Sequence, residues 1–171
     1  MDTKNDDDIA DYDVVGILEH IIEKYHSYFR EVLPVIDTQL HSTIKIDSEE
    51  IQNISQIYTC FLQLKDVLEQ HIGEEEYILF PILKKTFNSK IVRENSSLLI
   101  TIPLKNIVNE HEKVKMLFFE MEILTSNFQS SQNASTTLKN TYRELKKLKK
   151  QFLRLEQIEV EQLIPKFSAV K

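Results

Sequence analysis

The chain has 171 residues, 42% hydrophobic and 28% charged, which fits one soluble domain with a sizeable core and excludes a fibrous or disordered chain. Only two glycines and four prolines occur, too few for the turns of an all-β or α/β fold, so an all-α chain is expected. A formal charge of -6, from 21 basic and 27 acidic residues, argues against nucleic acid held through its phosphates. Cys60 is the only cysteine, so an intramolecular disulfide is excluded and a reducing compartment is indicated. With no signal-like N-terminus and no apolar run approaching about eighteen residues, the expectation is a cytoplasmic protein with no membrane partner.

Residues 1–13 carry six aspartates and read as a disordered acidic tail, residues 14–167 as the folded domain, and residues 168–171 as a C-terminal tail. The first helix is marked by Val15, Leu18, Ile22, Tyr25, Phe29 and Leu33, whose spacing of three and four residues is that of a bundle seam. Pro34 is expected to kink it, with the helix resuming as far as Leu40 or His41. A second helix follows Asp47-Ser48-Glu49-Glu50, which supply a polar cap and an acidic first turn. Its stripe is Ile54, Tyr58, Phe61, Leu64, Leu68, then Ile78 and Ile82, and it ends near Phe87-Asn88. Residues 88–101 form the longest connection, up to Pro103. The third helix runs through Leu104, Ile107, Val114, Leu117, Met121 and Leu124, and the polar residues 130–135 separate it from a fourth through Leu138, Leu145, Leu148, Phe152, Leu155 and Leu163. Four long helices of this kind predict an up-down-up-down four-helix bundle.

Ionisable side chains interrupt these stripes, and a charge at a core position is costly unless it is paired or bound to a metal. His26 lies between Ile22 and Phe29, and His111 between Ile107 and Val114. His71 and Glu75 are four residues apart and share a helix face, and Glu159 continues the stripe through Phe152 and Leu155. Three imidazoles and two carboxylates thus point to one interior, a ligand chemistry that suits a pair of iron or manganese ions; the single cysteine excludes a thiolate site. His71-Ile-Gly-Glu-Glu75-Glu-Tyr-Ile-Leu-Phe-Pro81 also aligns without gaps on Leu155-Glu-Gln-Ile-Glu159-Val-Glu-Gln-Leu-Ile-Pro165. The second copy keeps the glutamate, leucine and proline but carries Leu155 where the first has His71.

Tyr25-His26 followed by Arg30-Glu-Val-Leu-Pro34, His71-x-x-x-Glu75 running into Ile-Leu-Phe-Pro81, and Glu110-His111-Glu112 together resemble the hemerythrin-like domain of the di-iron proteins that repair iron-sulfur clusters. The resemblance covers residues 14–167. It implies a non-haem di-iron centre inside the bundle, held by histidines and two bridging glutamates, and a role in recovering iron-sulfur proteins after nitrosative or oxidative damage. The matching metal ligands are His26, His71, Glu75, His111 and Glu159. A fourth family histidine falls at Leu155, so of two ions per chain the one served by His26 is expected to be weaker. The cysteine-bearing N-terminal domain of many members is expected to be absent, the chain opening almost directly on its first helix. Implied partners are damaged iron-sulfur proteins and the gases nitric oxide and oxygen.

Three other readings stay open at this level: an oxygen- or nitric-oxide-binding sensor module, a mononuclear iron site of His71, Glu75 and His111, and a degenerate bundle that only contacts other proteins. No catalytic residue is assigned. His20 and His41 read as surface or supporting residues, Cys60 as an ordinary buried thiol, and Lys146-Lys147 with Lys149-Lys150 as a solvated helix face. Glu110 and Tyr25 are candidates for orienting a ligand or lining a channel. Gly73, between His71 and Glu75, costs about 1 kcal/mol relative to alanine inside a helix, which a close neighbour or a tolerated defect explains equally well.

Overall fold

A computed structural model describes residues 9, 12–46, 53–88 and 96–168. Helix α1 (residues 14–46) starts where the Asp13 carboxylate accepts the Gly16 N–H at 2.8 Å, satisfying one of the orphan donors of the first turn. It is α-helical over Val14–His20, widens into a π-helical turn over Ile21–His26, and continues over Ser27–Ile46. Helix α2 (residues 54–88) consists of Ile54–Glu74, a π turn over Glu75–Leu79, and Phe80–Asn88. Helix α3 is Ser96–Leu124 without such a turn. Helix α4 (residues 136–168) is capped by Ser135, whose hydroxyl accepts the Leu138 N–H at 3.1 Å. It runs over Thr136–Ile158, a π turn at Glu159–Leu163, and Ile164–Ser168.

Cross-links between neighbours give their directions. Asp37 of α1 accepts from Tyr58 and Lys65 of α2, each at 2.8 Å. Between α3 and α4, Lys115 meets Glu156 at 2.7 Å and Glu122 meets Lys149 at 2.6 Å, so chain order is opposed. Lys166, at the end of α4, donates to the Tyr12 carbonyl just before α1 at 3.0 Å. The chain is therefore all-α, an up-down-up-down four-helix bundle. Such part-exposed ion pairs contribute no more than about 1 kcal/mol each. The core carries the stability: Phe29, Phe61, Leu64, Phe118 and Phe152 are all buried, each contributing roughly 1.5–3 kcal/mol relative to exposure. Among the described residues no helix is long and apolar enough to cross a membrane.

Several local expectations are corrected. Ile9 is buried in the core, the Tyr12 carbonyl accepts from Lys166 and Asp13 caps α1, so the segment expected as a solvated tail contributes to the fold at these positions; residues 1–8, 10 and 11 lie outside the described residues, as do the Asp47–Glu50 cap and residues 169–171. Helix α1 passes through Pro34 and reaches Ile46, beyond His41. Helix α3 begins at Ser96 with Pro103 inside it, so residues 96–101 are helical rather than part of the connection. The α3–α4 link starts at a left-handed turn in which Ser126, Asn127 and Phe128 have φ of 50°, 62° and 55°. That conformation costs on the order of 1–2 kcal/mol per residue for a side-chain-bearing residue. It is held by the Thr125 hydroxyl, which accepts the Phe128 N–H at 2.8 Å, and by burial of the Phe128 ring.

The core stripes also differ from those expected. On α1, Ile21, at ordinary α-helical spacing from Ile17 and Leu18, is fully buried rather than Ile22; on α2, Ile78 is 49% exposed and Leu79 takes its place in the core. A π turn accommodates one more residue than the α-helical register predicts, so apolar positions after it shift around the helix by about 100°.

Candidate metal centre

The π turns stand where the inward-facing polar residues stand. His26 closes the turn of α1, and Glu75 and Glu159 open those of α2 and α4. The Phe80 N–H bonds back five residues to the Glu75 carbonyl, and the Ile164 N–H to that of Glu159. Pro81 and Pro165 follow one residue later. A proline ring strikes the carbonyl four residues before it in a regular helix, but residues 77 and 161 lie inside the wider turns, which relieves the clash.

His71 lies one helical turn before Glu75, and His111 comes from the uninterrupted α3. All five residues expected as ligands are buried, none more than 2% exposed. His26 Nε2 is 3.0 Å from Glu75 Oε2, and His71 Nε2 is 3.6 Å from the same oxygen. Glu159 Oε2 is 2.9 Å from His111 Nε2, and its Oε1 is 4.0 Å from His71 Nε2. Two sets result, His71 with His111 and Glu159, and His26 with Glu75 and Glu159. Within each, the ligand atoms lie within 4.8 Å of one another, and Glu159 is common to both.

The donor set suits metal binding on a direct observation. His71 Nε2, Glu75 Oε1, both ring nitrogens of His111 and both carboxylate oxygens of Glu159 are buried and make no well-aligned hydrogen bond, the close approach of His111 Nε2 to Glu159 Oε2 included. Orphaned polar atoms in a core cost about 1–3 kcal/mol each, and each of these residues falls within the two ligand sets. The electrostatics carry the same tension. Burial opposes a charge on His71, yet the carboxylates of Glu75, Glu110 and Glu159 outweigh it and push its pKa up to about 9. Burial and the neighbouring His71 push His111 down to about 4. Glu75, despite burial, is held below the ordinary carboxylate range by His71 and His26. Glu159 is held well above it by burial and by the Glu75 charge.

A supporting layer surrounds these atoms. His26 Nδ1 is 2.8 Å from Glu76 Oε1, and Arg30 grips Glu76 with both nitrogens, Nη1 to Oε1 at 3.0 Å and Nη2 to Oε2 at 2.8 Å. His71 Nδ1 is 3.2 Å from Glu110 Oε2. Such contacts turn Nε2 of each ring inward, as imidazoles at metal sites require. The Phe80 ring stacks on His26 with centroids 5.9 Å apart.

The structure brings together all five expected ligands and gives Glu110 the orienting contact proposed for it. Arg30 and Glu76 escaped sequence reasoning as site residues. Adjacent Glu75 and Glu76 hold opposite nitrogens of one ring, and a contact across 50 residues leaves no trace in periodicity. Leu155 is fully buried beside Phe152 and Ile158 in the helix α4 core. His41 is exposed, and the His20 ring lies edge-on to those of Tyr12 and Tyr25. Tyr25 is itself buried. Cys60 is a free, buried thiol whose pKa burial pushes up to about 11, which disfavours the reactive thiolate at neutral pH. Lys147 and Lys149 pair with Glu144 and Glu122, while Lys146 and Lys150 stand exposed beside a surface cleft of about 460 Å³.

Comparison with known proteins adds two findings. The family model of the hemerythrin HHE cation binding domain matches residues 18–98, a span that includes His26, His71 and Glu75 and stops short of His111 and Glu159. The iron-sulfur cluster repair proteins YtfE of Escherichia coli (strain K12 / DH10B) and of Shigella boydii serotype 18 are each 26% identical over 132 residues, which cover 77% of this chain and 56% of the relative. The chain thus spans about half the length of the curated relatives it matches.

Proposed function

We propose that the chain carries a hemerythrin-like domain, binds a carboxylate-bridged pair of iron ions and holds or donates iron under nitrosative or oxidative stress. The observation that carries this reading is the convergence of buried nitrogens and oxygens from four different helices, those from α2, α3 and α4 including atoms without a hydrogen-bond partner. His71, His111 and Glu159 would hold one ion, His26, Glu75 and Glu159 the other, with Glu159 shared. Iron in such a set would supply a redox-active centre of the kind that reacts with nitric oxide or oxygen. The protein's part is to keep the donor atoms dry and aimed. Glu76 and Glu110 hold the outer nitrogens of His26 and His71, and the Phe80 ring packs flat on His26. The repair function named for the relatives points to damaged iron-sulfur proteins as the partners served.

The test is anaerobic reconstitution with ferrous ion, followed by iron and manganese analysis and an absorption spectrum. Two irons per chain with the spectrum of a coupled pair is the expected result. No retained iron in a protein whose helicity is intact overturns the proposal. A second reading draws on the composition of the first set, two imidazoles and a carboxylate, which suits a single oxygen-activating iron, with Glu159 standing where the sequence reading put Glu75 beside His71 and His111. One iron per chain, lost on replacement of His111 but kept on replacement of His26, would select it.

A further inference from the structure

We infer that Glu76, clamped by Arg30, is the positioning residue that sets how firmly the His26 side of the centre is occupied. The inference rests on the dinuclear reading and deepens it. His26 is the only imidazole in its ligand set, whereas the other set has two. Leu155 offers no donor at the position where the internal register would supply a second. The orientation of one ring therefore governs that half of the centre.

The ring is held from three directions. Phe80 stacks on its face within 6° of parallel, Glu75 lies 3.0 Å from Nε2, and Glu76 lies 2.8 Å from Nδ1. The hydrogen bond to Glu76 demands that Nδ1 carry the proton, which leaves the Nε2 lone pair for an ion. Arg30 is four residues after His26 on α1, and Glu76 reaches across from α2 to sit between the two. Its carboxylate cannot rotate away while both oxygens are engaged, at 3.0 and 2.8 Å. The Arg30 side chain is 47% exposed and that of Glu76 16%, so a surface residue is linked through one carboxylate to a fully buried ligand. The equivalent of Glu76 in the second copy is Val160, which is 44% exposed and cannot orient anything. His111 has no partner at Nδ1 at all among the described residues.

The test uses the full chain freed of metal and titrated with cobalt(II), read by visible absorption and by metal analysis after desalting. The wild-type chain is expected to take up two equivalents in a tighter and a weaker step. Glu76→Gln keeps the shape but removes the charge and the Arg30 clamp, and is expected to weaken the weaker step roughly 10- to 100-fold while leaving the tighter step in place. Arg30→Ala, at an exposed position that spares every ligand, is expected to move the same step in the same direction by a smaller factor. Glu110→Gln, acting on His71, is expected to move the tighter step instead. A weaker step unchanged in both Glu76→Gln and Arg30→Ala, with normal helicity, overturns the inference alone. So does an equal shift of both steps by Glu76→Gln. A wild-type chain that takes up fewer than two equivalents overturns the dinuclear reading first, and the inference with it.

Discussion

Residues 71–81 of α2 and 155–165 of α4 are two solutions to one backbone problem. Both enter a π turn at a buried glutamate, both bond back five residues to its carbonyl, and both leave the turn one residue before a proline. The side chains differ where chemistry is at stake: His71 against Leu155, Glu76 against Val160. The two glutamates differ as well, Glu75 being held ionised by two flanking histidines while Glu159, against Glu75 in the core, is held towards its neutral form. The π turn is thus a device for presenting a carboxylate, and it persists in α4 where the accompanying histidine is missing.

The sharpest way to break this comparison is Glu159→Gln. Because Glu159 belongs to both candidate ligand sets, the dinuclear proposal expects bound iron to fall from two per chain to near zero. The metal-free protein should instead be stabilised at neutral pH in denaturant unfolding, since burial and the Glu75 charge oblige Glu159 to take up a proton on folding and glutamine needs none. A stability change of the opposite sign would show that the metal-free core has already satisfied this group. His71→Leu makes the first copy resemble the second, and metal analysis should then find no more than one ion per chain. Leu155→His makes the second copy resemble the first and should tighten the weaker ion by about tenfold or more in chelator competition. Unchanged retention would mean that position 155 does not correspond to position 71 in space. The smallest effect is expected at position 73. A Cβ there meets nothing within 4 Å, and the second copy carries Gln157 at that register. Gly73→Ala should stabilise the fold by about 1 kcal/mol in thermal or denaturant melts and leave metal content alone. Loss of metal would assign the glycine to the site.

Much of the bundle was legible in the chain because helix formation and face burial repeat every 3.6 residues, so Phe29, Leu64 and Phe152 declare themselves by spacing. The five candidate ligands were legible for the opposite reason, as polar residues at positions where that spacing demands apolar ones. Ile78 is misplaced when the pattern is read as continuous α-helix, while Ile22 yields to its neighbour Ile21, which follows Ile17 and Leu18 at ordinary α-helical spacing. Pro103 was read as a boundary, yet α3 runs through it. Gly73 invited a close-approach explanation, and the open space beside it removes that reason.

What the chain determines by itself is local and periodic: four helices, their inward faces, and the histidines and glutamates that interrupt them. What tertiary structure decided is register and partnership. Whether Ile78 or Leu79 enters the core depends on a π turn, whose i to i−5 hydrogen bonds are weaker choices locally and are held only by packing against the other helices. Likewise Arg30, Glu76 and His26 become one unit only when α1 and α2 lie antiparallel. Their contacts span 46 to 50 residues and carry no signature in either segment alone.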